Sequence, residues 1–346
     1  MAIDRLYLDH AATTPMLPQA KAAMVDAMER WANPSSPHAD GRAARAALED
    51  ARRRIAAALQ WPGHVIFTSG ASEAIAIAMT RANAARIIAS PVEHDAVLRM
   101  AGEAERLNVD DDGRVTPSAL RADRRSMIAV QHVNNETGVI QPLERIDRDG
   151  ALLFVDCAQS AGKLPLPDAD MIAISAHKFG GPPGVGALLV RDLTLLQASG
   201  GQEQGYRAGT ENLPGVMAMA AALEARIDWL EQAATLRAQL DAGIENGGGR
   251  IVARDAPRLP TIASYRMPGM SARAQLIQFD LAGISVSAGS ACSSGSLKTS
   301  HVLHAMGWDD VAAGEVVRVS FGPTTSAPDV DRFLSVWTTM AQRTGR

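Results

Sequence analysis

Six short apolar runs punctuate the chain between residues 65 and 190. They are VIFTSG (65–70), RIIAS (86–90), MIAVQHV (127–133), ALLFVD (151–156), MIAISA (171–176) and GALLV (186–190). Each ends in a polar or Gly-rich turn. Stretches with helical periodicity, such as Gln19–Trp31 and Gly41–Leu59, lie between or before them, with Ala, Leu and Ile recurring among Arg and Glu. Near-continuous apolar strands alternating with helices predict an α/β domain around a mostly parallel sheet. In such a sheet the functional residues gather at the carboxyl ends of the strands. A long helical stretch from Val216 to about Asn246 leads into a second region. This region has weaker alternation and holds VVRVSFG (316–322) and a last helix from about Ala327, and it reads as a smaller α+β unit. At 346 residues the chain is long for a single core and suits a large domain plus a small one.

Composition excludes several classes. With 47% hydrophobic and 21% charged residues and a net charge of -4, the chain is of ordinary globular type. Mild acidity offers no electrostatic reason to bind nucleic acid directly. No apolar run reaches the ~20 residues of a membrane span, and MAIDRLYLDH lacks the apolar core of a signal peptide. Two cysteines, Cys157 and Cys292, make no disulfide framework, so a reduced, cytoplasmic setting is expected. No metal site is expected.

The strand ends carry the chemistry. Gly70-Ala71-Ser72 lies between a strand and a helix start, where N–H groups and the helix dipole favour an anion. The plainer reading is a Ser N-cap with Glu73 close behind. Asp156 closes an apolar strand, either as a partner for a buried cation or as a helix cap. Ser175, His177 and Lys178 close another, ahead of a Gly/Pro turn. Only four of the 34 basic residues are lysines: Lys21 on an amphipathic helix, Lys163 before LPLP, Lys178, and Lys298 after the cysteine loop. An isolated His-Lys pair reads as surface. A phosphate cradle, an acid and a lysine together form the set that pyridoxal 5'-phosphate needs: an anion site, a partner for the ring nitrogen, and an amine for the Schiff base.

At these positions the sequence resembles a known family. In order along the chain stand YLDHAATTP (7–15), NPSSPH (33–38), FTSGASEA (67–74), EHDAV (93–97), HVNNETG (132–138), VDCAQSAGKLP (155–165), SAHKFGGPPGVGAL (175–188), RAGTEN (207–212), SAGSACSS (287–294) and VRVSFG (317–322). Together they are similar to the cysteine desulfurases of the NifS/IscS type, in the class V aminotransferase family. The resemblance implies the pyridoxal-phosphate transferase fold type I, with a seven-stranded-type sheet in a large domain (13–231). Residues 1–12 and 232–346 would form the small domain that carries the Cys292 loop.

It also implies roles. Lys178 would carry the cofactor and serve as base. Asp156 would pair with the ring nitrogen, and His94 would stack on the ring and assist proton transfer. Gln159 would reach the ring hydroxyl. Ala71, Ser72, Ser175 and His177 would hold the phosphate, and Thr210 would reach the phosphate of the other subunit in a homodimer. Asn135 would face both cofactor and substrate, and Arg318 and Asn33 would bind the substrate, Arg318 through its carboxylate. Without these motifs, His94 reads as a lone loop histidine and Arg318 as a strand-edge residue in a surface ion pair. Cys292 would attack the sulfur of L-cysteine as thiolate and become a persulfide, with L-alanine released to complete a sulfurtransferase half-reaction. The small residues around Cys292 would let it reach an acceptor protein. That sulfur could serve iron–sulfur clusters, tRNA thiolation, a thio-cofactor or modified DNA. A selenocysteine lyase, another class V lyase or aminotransferase, or a non-catalytic scaffold are the alternatives. The segments between the Ser72 helix and EHDAV, and between HVNNETG and ALLFVD, are trimmed against the family pattern. Cys157 reads as a small buried hydrophobe.

Overall fold

The computed structural model describes residues 5–116, 122–225, 228–289 and 299–344. A seven-stranded sheet forms its centre. Across it run His64–Thr68, Gly186–Val190, Met171–Ser175, Leu152–Asp156, Ser126–Ala129, Arg86–Ala89 and Glu105–Arg106. The last five of these are mutually parallel, while Gly186–Val190 is antiparallel to both of its neighbours. Six strands coincide with the six apolar runs. The seventh, Glu105–Arg106, is a two-residue exposed edge strand whose charged side chains leave no apolar signal.

The strands are apolar throughout because both faces are covered. Side chains alternate between two cores. Leu153, Val155, Ile172 and Ile174 face one, with helices Ala39–Ala58 and Leu213–Glu224. Phe154, Met171 and Ala173 face the other, with helix Ala71–Arg81. Helix Ala39–Ala58 buries Ala44, Leu48, Ala51 and Ile55, the spacing of one helical stripe. The same parity turns Asp156 and Ser175, at the strand ends, toward the face covered by Ala71–Arg81.

A further core lies around a three-stranded antiparallel sheet, in the order Val316–Ser320, Ile262–Arg266, Arg250–Ile251. Helices Leu230–Asn246 and Ala327–Thr344 pack on it, the latter through Val330, Phe333, Trp337 and Met340. Phe333 stacks on Phe279 with ring centroids 4.7 Å apart. Leu6 and Leu8 join this core, and Leu6–Tyr7 pairs with Ile284–Ser285.

The single helical stretch expected from Val216 to Asn246 is two helices, Leu213–Glu224 and Leu230–Asn246. Val216, Met219 and Leu223 belong to the core of the large sheet, whereas Leu236, Leu240 and Ile244 belong to that of the small one. One straight helix cannot serve both, so it breaks where the cores part.

Candidate active site

A cavity of about 460 Å³ opens at the carboxyl ends of the parallel strands, where the small sheet approaches them. Helix Ala71–Arg81 points its first turn at it. The residue ahead of that helix is Gly70, with φ of 151°, a conformation that L side chains rarely adopt. Ser72 is therefore not the N-cap: Gly70 is, and no side chain caps the helix there. Glu73 instead accepts from Ser69 N–H and pairs with Arg207 at 2.8 Å. The first N–H groups of a helix have no partner within it. Here they face the cavity beside Ser72, Ser175 and His177.

Asp156 is 7% exposed. Burial pushes its carboxyl up, against the pull of Ala158 N–H, His94 and Lys178. Its Oδ1 accepts from Ala158 N–H at 2.8 Å, which ties off the turn that follows; no helix starts there, so Asp156 is a turn residue on the cavity wall rather than a helix cap. Lys178 follows the neighbouring strand in a short helical turn, Ala176–Lys178. Its Nζ donates to the carbonyls of Ala11 and Ala12 at 2.7 and 2.8 Å. Gln159 Nε2 also donates to Ala11 O, at 2.9 Å, while its buried Oε1 has no partner among the described residues. His94 caps helix Asp95–Ala101, its Nδ1 accepting from Ala96 N–H at 3.1 Å. Burial, then the charge of Lys178, lowers the His177 pKa to about 4. Arg318 is 6% exposed and holds Asp9 at 2.7 Å and Asn135 O at 3.0 Å. Its buried Nε has no partner among the described residues. The alternative reading, a strand-edge Arg in a surface ion pair, does not hold: Arg318 is buried on the cavity wall, paired with a partly exposed Asp9.

The sequence profile described as Aminotransferase class-V matches residues 6–333. The chain belongs to the class-V aminotransferase family. A cysteine desulfurase of Cereibacter sphaeroides is 37% identical, the match covering 96% of this chain and 95% of that protein. An IscS-like cysteine desulfurase of Mycobacterium tuberculosis is 38% identical over 95% of this chain and 94% of its own. Among solved structures, a NifS-like protein superposes with a TM-score of 0.88 at 30% identity, covering 98% of this chain and all of that one. The architecture is fold type I of the pyridoxal-phosphate enzymes.

In this class-V aminotransferase the cavity brings together ten residues singled out from sequence: Ala71, Ser72, His94, Asn135, Asp156, Gln159, Ser175, His177, Lys178 and Arg318. Two lie elsewhere. Asn33 is exposed, its Oδ1 accepting from Ser35 N–H in a local turn. Thr210 is exposed in the loop beyond Arg207. Cys292 and Lys298 lie outside the described residues, although the chain enters that segment from Ser287, whose backbone exchanges two hydrogen bonds with Arg318. Cys157 is fully buried, and burial pushes its thiol up, as expected for an inert core cysteine. The wall also includes Ala11, Ala12, Gln131, Glu136 and His301. Ala11 and Ala12 act through main-chain carbonyls, which no side-chain pattern can reveal.

Proposed function

We propose that this protein is a pyridoxal 5'-phosphate-dependent cysteine desulfurase, taking sulfur from L-cysteine, releasing L-alanine and leaving a persulfide on Cys292. The observation that carries this reading is the meeting of Lys178, Asp156, the Ala71–Arg81 helix start and Arg318 in one cavity. It is supported by full-length relatives named as cysteine desulfurases.

The residues present fit the cofactor. Gln159 Oε1 is a buried acceptor awaiting a donor. Gly70, Ala71 and Ser72 leave backbone N–H groups open to a phosphate, with Ser175 and His177 beside them. When bound, the cofactor supplies an electron sink for carbanion chemistry at the substrate α-carbon. Lys178 provides the amine that carries it and, once displaced by substrate, a base for the α-proton. Asp156 keeps the ring nitrogen protonated. His94 would lie over the ring and assist proton transfer. Arg318 and Asn135 orient the substrate, with Arg318 gripping its carboxylate. Cys292 delivers the nucleophile, which must be thiolate to attack. Thr210, exposed on its loop, reaches the phosphate site of a second copy, so the working unit is a homodimer. A sulfur-acceptor protein then receives the persulfide. The cysteine usage suits a cytoplasmic setting.

Cys292→Ala tests the assignment. It should abolish persulfide and sulfide formation from L-cysteine while leaving the absorbance of bound cofactor intact. Normal turnover in that variant would overturn it.

A further inference from the structure

From sequence, Lys163 is simply the lysine ahead of LPLP. The fold draws it inward. The turn after Asp156 closes through Lys163 N–H to Ser160 O at 2.9 Å, and Lys163 Nζ donates to Gln159 O at 3.0 Å. Lys163 thereby lines a second, small cavity of about 40 Å³ whose walls include Leu17, Phe179, Leu223 and Trp229. Lys178 lines both this cavity and the large one.

Among the described residues Lys163 forms no ion pair. Burial, then the charge of Lys178, lowers its pKa to about 7. The other titratable groups around the two amines are His10 from the N-terminal segment, His177 beside Lys178, and Asp156 at the end of the neighbouring strand. Of these, only Asp156 brings negative charge, and it acts on Lys178. Two ammonium groups at one small cavity repel each other, and neither can shed its charge without easing the other.

We propose that Lys163 is the charge partner of Lys178: the two amines share one proton, and Lys163 takes it up whenever Lys178 gives it up. An amine must lose its proton before it can attack a carbonyl or serve as a base. A neutral neighbour that gains basicity as Lys178 loses charge lets this happen while the total charge of the pair is kept. Lys163 is a positioning residue in this scheme. Its purpose rests on Lys178 being the cofactor-bearing lysine, as proposed above.

The test uses full-length chain stripped of cofactor. Brief pulses of acetic anhydride across a pH series, read residue by residue by mass spectrometry, give the midpoint at which each lysine becomes reactive. In Lys178→Met the Lys163 midpoint should rise by about one pH unit, near tenfold less reactive amine at a given pH. In Lys163→Arg, which holds a permanent cation, the Lys178 midpoint should fall by a similar amount. Lys163→Gln, which keeps a donor for Gln159 O without charge, should produce no such fall. An unmoved Lys163 midpoint in Lys178→Met would overturn the proposal, as would Arg and Gln variants with the same Lys178 midpoint. Failure of the wild-type chain to develop cofactor absorbance with pyridoxal 5'-phosphate would instead refute the functional reading and leave these midpoints to decide the coupling.

Discussion

Arg318, on the wall of the large cavity, forms a 2.7 Å ion pair with Asp9 that joins the small sheet to the N-terminal segment. The guanidinium also holds Asn135 O, so its orientation is set before any substrate arrives. A lysine would keep the charge and lose the planar fork. Arg318→Lys should therefore raise KM for L-cysteine about tenfold, or ~1.4 kcal/mol, with a smaller change in kcat. Steady-state kinetics on variant with normal cofactor absorbance checks this. An unchanged KM would remove Arg318 from the substrate site.

His10 gives the fold an acid-sensitive point. It is 7% exposed, and burial, then Lys163, lowers its pKa from 6.5 to about 4. The folded state therefore prefers the neutral ring, and the unfolded chain binds the proton first as pH falls. The stabilisation is complete above pH 6.5 and is lost between there and about pH 4, at most about 3 kcal/mol. Urea midpoints measured at neutral pH and near pH 4 should differ by less in His10→Phe than in the wild type. Equal differences would rule out the His10 contribution.

Gly322, in the SFG motif, meets the same ring. A Cβ built there would lie 2.0 Å from His10 Cε1, inside the contact distance of any two carbons. The ring also packs edge-on against Tyr7, with centroids 4.9 Å apart. Gly322→Ala should cost about 1–3 kcal/mol through overpacking. Thermal unfolding compared with the wild type would show it, and an unshifted Tm would mean that the ring moves aside freely.

Glu203 ties the loop leading to Thr210 to the large sheet. Its buried carboxylate accepts from Arg52 at 2.7 Å and from Phe67 N–H at 2.8 Å. The Arg52 guanidinium also lies over the Phe67 ring, 4.4 Å from its centroid. Glu203→Ala would leave Arg52 largely buried without this partner and strand Phe67 N–H, at a cost of about 3 kcal/mol. Equilibrium unfolding in denaturant measures it. A loss under about 1 kcal/mol would show that Glu49, which also contacts Arg52, compensates.

Periodicity is local, so much was legible in the chain itself. Strands buried on both faces had to be apolar throughout, and the six runs became six strands of one sheet. Asp156 and Lys178 stood out because polar groups at the ends of such strands need a reason to be there. Other features depend on residues far apart in sequence. Glu105–Arg106 became a strand only because Arg86–Ala89 offered it an edge. The long helical stretch broke because its two halves serve separate cores. Asp9 met Arg318 across 309 positions, and Ala11 offered a carbonyl to both Lys178 and Gln159. Lys163 was only the lysine before LPLP until packing placed it on the same small cavity as Lys178. Sequence determined which groups could do chemistry, because side-chain type and backbone preference are properties of single residues and short windows. Tertiary structure decided which of them share an environment, because desolvation and charge coupling depend on distance in space.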